Sequence, residues 1–177
     1  MGEAPAARLP TSAEVIRALG EVARLLIEPG PSPQPVFEAV VKGAASTLGA
    51  DASSLYLVAE DGGYDLVAVH GRPFARRRIP QDRGVVGEVG RSRGVVVIED
   101  IRSDPRYVEV GSAHREGFAS MAAAPLVVDS RLLGVLGVYW QARRAPDGAQ
   151  QELLQLFAHY AAVAITLARL VTELEQT

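Results

Sequence analysis

Three histidines, His70, His114 and His159, are the side chains of this 177-residue chain best suited to ligate haem iron or a metal when neutral. None has a second ligand at metal-site spacing. His70 ends a strand-like run and His159 lies in an apolar-periodic segment, so both read as exposed or packing residues. His114 differs, because it sits in the polar, aperiodic stretch EDIRSDPRYVEVGSAHREGF at 99–118. Connections of that length in compact domains are usually binding loops, lids or disordered segments. The same stretch opens with Asp100, Asp104, Arg106 and Tyr107, where carboxylates and a guanidinium could read a polar ligand. The plainer reading is turn chemistry, with Asp104 preceding Pro105 and Asp100 bonding loop amides. Tyr56 and Tyr139, on strand-like runs, and Ser120 complete the candidate binding set, with core packing the competing role for the phenols.

The chain has no cysteine, which removes a disulfide scaffold, a thiol nucleophile and any cysteine-ligated metal. Paired carboxylates, a nucleophile elbow, a phosphate loop and metal-ligand spacing are also missing, so the expectation is a binding protein and not an enzyme. Arg76, Arg77 and Arg78 form the one basic run, which could meet a phosphate but reads more simply as a solvated loop. A net charge of −3 offers no general positive field for nucleic acid or anionic lipid. The start MGEAPAARLPTSAE lacks a signal-peptide pattern, and no run of about 18 uninterrupted apolar residues occurs, so the expectation is cytoplasmic with no membrane partner. Hydrophobic residues at 48% are enough to bury a sizeable core.

The elements that would position these residues follow from periodicity. Residues 1–10 read as a flexible leader, and 11–34 as a helix with a proline-rich connector. Thr11 and Glu14 have capping-box spacing, followed by Val15, Leu19, Val22 and Leu26. A second helix carries Phe37, Val40, Val41, Ala44, Ala45 and Leu48 and ends at Gly49. Then the period becomes two: SSLYLVA and YDLVAVHG flank EDGG as a hairpin, and the first strand, apolar on both faces, should be central. GVVGEVGRSRG reads as a short helix before a strand at 95–98. SMAAAPLVV and LLGVLGVYW form a second hairpin, in which Gly134 and Gly137 suggest close backbone approach. Asp147 and Gln150 cap a last helix over 147–177.

In that helix Leu153, Phe157, Tyr160, Ala164, Leu167, Val171 and Leu174 recur at alternating steps of four and three, the spacing of a coiled-coil seam. Leu154, Ala161, Ile165 and Ala168 form a second stripe that could cover a sheet. With the matching stripe of the first helix, Val15, Leu19, Val22 and Leu26, the seam predicts a homodimer built on a helical bundle.

The order of these elements, with SSLYLVAEDG, GVVGEVGRSRGVVVIEDIRSDPRY, SMAAAPLVVDSRLLGVLGVYW and LLQLFAHYAAVAITLARL in sequence, resembles the GAF domain family over 35–170. The resemblance implies an α+β fold: an antiparallel sheet of five or six strands, terminal helices on one face and a loop-covered small-molecule pocket on the other. Function does not follow from fold. Covalent bilin attachment and methionine sulfoxide reduction, both known for members of this fold, need a cysteine this chain lacks. The cyclic-nucleotide signature of Asn-Lys, Phe and Asp-Glu finds no match around the single lysine, Lys42. The leading expectation is a regulatory domain that senses an unidentified small molecule or partner through a dimeric bundle. A haem or gas sensor using His114 and a ligand-free dimeric adaptor stand as alternatives.

Overall fold

The computed structural model describes residues 10–28, 30, 32–71, 77–107 and 117–177. In chain order these form α1 (Ser12–Ile27), α2 (Gln34–Thr47), β1 (Ala52–Val58), β2 (Tyr64–His70), β3 (Arg78–Ile79) and α3 (Gly84–Ser92). They continue with β4 (Val96–Ile98), a 3-10 turn (Pro105–Tyr107), β5 (Ser120–Val128), β6 (Arg131–Trp140) and α4 (Gly148–Glu175).

The helix ends follow their residues. Thr11 accepts from the Glu14 amide while Glu14 accepts from the Thr11 amide, so two otherwise orphaned donors are satisfied reciprocally. Asp147 and Gln150 repeat the device at the start of α4. Past α2 the chain leaves through Gly49 at a φ of 60°.

The six strands form one sheet in the order β3-β2-β1-β6-β5-β4, with every neighbouring pair antiparallel. The α+β fold with a six-stranded sheet expected from the sequence is present. β1 is central, as its two apolar faces required. The edge strand β3 falls in a stretch whose polar, basic residues carry no strand pattern. Its two residues are held by tertiary means: Arg78 pairs with Asp65 at 2.7 Å and also with Asp61, so part of the basic run serves as a staple. Pro125 interrupts the expected strand chemistry of β5 without cost, because β4 pairs only with Met121 to Ala123 and leaves Pro125 beyond its reach. The Pro125 carbonyl accepts instead from Gln155 Nε2 of α4 at 2.8 Å.

Period-two alternation divides the core into two layers. Leu55, Ala122, Leu126, Leu136, Val138 and Trp140 face α2 and α4, and α1 packs on those two helices. Trp140 Nε1 also donates to the Leu48 carbonyl at the end of α2, satisfying a helix-terminal acceptor inside the core. On the other face, Tyr56, Met121, Val135 and Tyr139 meet Val85, Val86 and Val89 of α3.

Candidate functional site

Tyr56 and Tyr139 share the sheet face turned away from the terminal helices, because the register Ala52↔Tyr139 and Tyr56↔Val135 sets both on the same side of β1 and β6. Both are buried. The Tyr139 hydroxyl lies 3.1 Å from Ser54 Oγ. A methyl group at Gly137 would sit 3.1 Å from the Tyr139 hydroxyl and 3.3 Å from Ser54 Oγ, so this glycine makes room for the ring and its bond. Gly134 serves β1 in the same way: a Cβ there would collide with the Tyr56 carbonyl. Phe118 tilts against Tyr139 with ring centroids 5.4 Å apart, a separation in the favourable range for aromatic pairs. The result is an aromatic layer carrying hydroxyls on the α3 side of the sheet, to which the 99–118 connection contributes its last residue, Phe118. Ser54 and Phe118 were not singled out from sequence. The signal for Ser54 was its period-two spacing from Tyr56.

At the mouth of that connection the polar cluster is largely paired with itself. Arg106 Nε donates to Asp104 at 2.9 Å and its Nη2 reaches the Val97 carbonyl at 3.1 Å, which ties the 3-10 turn to β4. The hydrogen bond from Arg106 holds the Asp104 carboxyl below its ordinary value. Asp100 accepts from the Arg102 amide at 3.1 Å, and its other oxygen lies 4.0 Å from Arg143. Tyr107 closes the 3-10 turn. His114 and Arg76 lie outside the described residues.

Ser120 departs from the candidate set. Its cross-strand partner is Trp140, so it faces the terminal helices, the side opposite Tyr56 and Tyr139. Its hydroxyl donates to the Ala142 carbonyl at 2.7 Å and accepts from the Arg144 amide at 3.0 Å, clamping the connection into α4. His70 and His159 are exposed. Among the described residues no group of three or more His, Asp or Glu is placed to hold a metal.

Residues 32–165 match the GAF domain family. The chain belongs to the GAF domain family. Among solved structures it is similar to the GAF domain of a phosphoenolpyruvate-protein phosphotransferase from Coxiella burnetii, at 22% identity and a TM-score of 0.77, over 93% of this chain and 99% of that one. It is similar also to the free methionine-R-sulfoxide reductase from Neisseria meningitidis solved with its substrate, at 21% identity and a TM-score of 0.74, over 94% and 98%. A third is a methyl-accepting chemotaxis protein segment, at 21% identity and a TM-score of 0.70, over 85% and 98%. Among curated proteins, none matches the chain in sequence. GAF domains are sensory and regulatory units of signalling proteins, and the fold also hosts an enzyme.

The helical face of this GAF domain corrects the expected seam. Val22 and Phe157 are 0% exposed and Ala164 is 4% exposed, all within the core that joins α1, α2 and α4 to the sheet. Leu19, Leu26, Leu153 and Tyr160 pack partly on the same core, and Val15 is half-buried. These residues are consumed inside the chain because α4 lies with α2 on the apolar face of the sheet and α1 packs in turn on α2 and α4. What stays outside is a stripe rotated by one position. Leu156, Val163, Leu167, Leu170 and Leu174 are exposed, and with half-buried Tyr160 they run at steps of four, three, four, three and four. Leu167, Val171 and Leu174 of the expected seam are all exposed, so the correction applies to its first half, where Phe157 and Ala164 are buried. On α1 the outward stripe is Ile16, Gly20, Ala23 and Ile27, with open space around Gly20. By length and composition α4 could cross a membrane, its most apolar stretch having a mean hydropathy of 1.5. Its inner stripe, however, is spent on the sheet.

Proposed function

We propose that this GAF domain is a non-catalytic sensor that holds a small molecule between the 99–118 connection and the layer of Tyr56, Phe118 and Tyr139, and signals as a homodimer through α1 and α4. The observation that carries this reading is the double role of β6. Val135 and Tyr139 support the aromatic layer, while Leu136, Val138 and Trp140 support the helices. A ligand that shifts the aromatic layer must therefore move the strand on which the helices rest, and closely packed interiors transmit such shifts. The absence of cysteine supports binding over redox catalysis.

The outward stripes supply the dimer surface. An apolar heptad stripe over the length of α4 has most of the features of a two-stranded seam, and Gly20 with Ala23 would let helices approach closely. Two measurements test the two halves of the reading. Thermal-shift screening against nucleotides, amino acids, aromatic acids and haem should yield a ligand that adds about 2.7 kcal/mol at one hundred times its Kd. Tyr139→Phe should weaken it. Sedimentation should show a dimer at tens of micromolar that Val163→Glu or Leu170→Glu converts to monomer. A monomeric parent protein would reject the dimer half.

A further inference from the structure

A second polar cleft of about 510 Å³ lies apart from the aromatic layer, where β1 ends, β2 and β6 begin and α3 finishes. Tyr64 forms its floor, and Asp82, Arg91, Arg93, Asp129 and Arg131 stand around it. Three independent features make this place unlike the rest of the surface.

The first is Tyr64. The residue is only 4% exposed, its ring belongs to the α3-side core, and its hydroxyl has no hydrogen-bond partner among the described residues. A methyl group at Gly90 would collide with that hydroxyl, so the glycine on α3 is what leaves it room. Among the described residues no buried side-chain polar atom lacks a partner, so the hydroxyl itself is not enclosed but opens on the cleft, where it is free to donate to a ligand. Burial, with Asp82 adding to it, raises the Tyr64 pKa above its ordinary value against the opposing pull of Arg93 and Arg91. The group is a neutral donor at physiological pH.

The second is the backbone. Among the described residues the non-glycine positions with left-handed φ are Asp82 (63°), Arg93 (58°), Asp129 (50°) and Ser130 (63°), and all four line this cleft. Such conformations cost about 1 to 2 kcal/mol each. Arg93 is the telling case. It caps α3 in the conformation that glycine adopts most cheaply, while the glycine of the sequence stands one position later at Gly94. From that position its Nη1 reaches the Ser130 carbonyl at 3.4 Å, spanning the cleft from α3 to the β5–β6 turn.

The third is charge. Arg91 is engaged by Glu88 at 2.9 Å and Asp82 at 3.7 Å, but Arg93 and Arg131 have no ion-pair partner among the described residues. With Glu88 counted, three guanidiniums meet three carboxylates and the cluster is neutral as a whole, but Asp82 and Glu88 are both held by Arg91, which leaves Arg93 and Arg131 against the single carboxylate of Asp129. That balance suits a ligand bearing one negative charge. Asp129, at the turn, forms no ion pair among the described residues and can accept a hydrogen bond from the same ligand.

We infer that this cleft is a second ligand site, for a small monocarboxylate that also carries a hydroxyl or ammonium group. The carboxylate meets Arg93 and Arg131, the Tyr64 hydroxyl donates to the ligand, and Asp129 receives its hydroxyl or ammonium hydrogen. Such a ligand would tie the end of α3 to the β5–β6 turn.

The test is an NMR titration of the full chain with a panel of 2-hydroxy- and 2-amino-monocarboxylates, with inorganic phosphate as a separate arm. Saturable shifts are expected at the Gly90, Arg93 and Arg131 amides with at least one panel member. Tyr64→Phe, which removes a hydroxyl without a protein partner and so should fold normally, is expected to weaken binding about threefold to tenfold. Arg93→Gln is expected to weaken it at least about tenfold. Tyr139→Phe, in the aromatic layer, should leave it unchanged, which separates this site from the proposed sensing pocket. The inference is overturned by an absence of saturable shifts across the panel, by full-strength binding in Tyr64→Phe and Arg93→Gln, or by a response to phosphate alone.

Discussion

Asp104 and Arg106 show how a residue pair that looks ready for a ligand can be spent on shape. Their ion pair at the mouth of the connection satisfies both charges, and the spare Arg106 nitrogen goes to a carbonyl of β4. The Asp104 carboxyl is held below its ordinary value of 3.8 when folded, so the unfolded chain binds its proton more readily. Its contribution to stability is therefore present above that value and disappears as pH falls through the lower folded one. With Arg106 41% exposed, screening limits the contribution to about 0.5 to 1 kcal/mol. Asp104→Asn should lose that amount in urea denaturation at pH 7 and match the parent once the pH is low enough to protonate Asp104 in the folded state. A deficit that persisted at low pH would assign the effect to packing. The residue types of this cluster are readable from sequence. Their pairing with each other is not, because it depends on rotamers set by the turn.

At the scale of elements, strands and helices follow closely from local periodicity and caps. The β5–β6 hairpin turns on Asp129 and Ser130, both left-handed, the geometry of a two-residue primed turn. Aspartate tolerates that conformation better than serine does. Ser130→Gly should raise stability by up to about 1 kcal/mol in the ligand-free protein, read as a higher denaturation midpoint with unchanged slope. No change would mean that the serine side chain compensates the strain. β3 shows where local reading stops, since a two-residue edge strand has no period of its own. It exists because β2 offers it an edge and Arg78 two carboxylates. The Ser120 placement has the same origin. Its side of the sheet is set by the register with Trp140, and moving that register by one residue would turn it to the other layer.

For the whole molecule, the question is which apolar stripe of α4 meets the sheet and which stays free. Two stripes one residue apart both keep the alternation of three and four, so periodicity alone does not choose between them. Substitutions can. Phe157→Ala should destabilise the monomer by about 3 to 5 kcal/mol through loss of core packing, with little direct effect on association. Leu170→Glu should leave monomer stability within about 0.5 kcal/mol and abolish the proposed dimer. Calorimetry with sedimentation on the two variants decides the matter, and the opposite pattern would restore the inner stripe as the interface.

The sequence by itself determined the order of the elements other than β3, the central place of β1, both capping boxes and the membership in the GAF family, because these rest on periodicity, turn residues and caps that act within a few positions. It also determined that thiol chemistry is closed to this chain, since no cysteine exists to perform it. The tertiary structure alone decided which helix stripe is core, which face Ser120 takes and where Arg78 finds its partners. It alone brought Tyr64, Arg93 and Asp129 around one cleft. Those outcomes depend on sheet register and on groups from distant segments competing for the same space, and no local pattern encodes that competition.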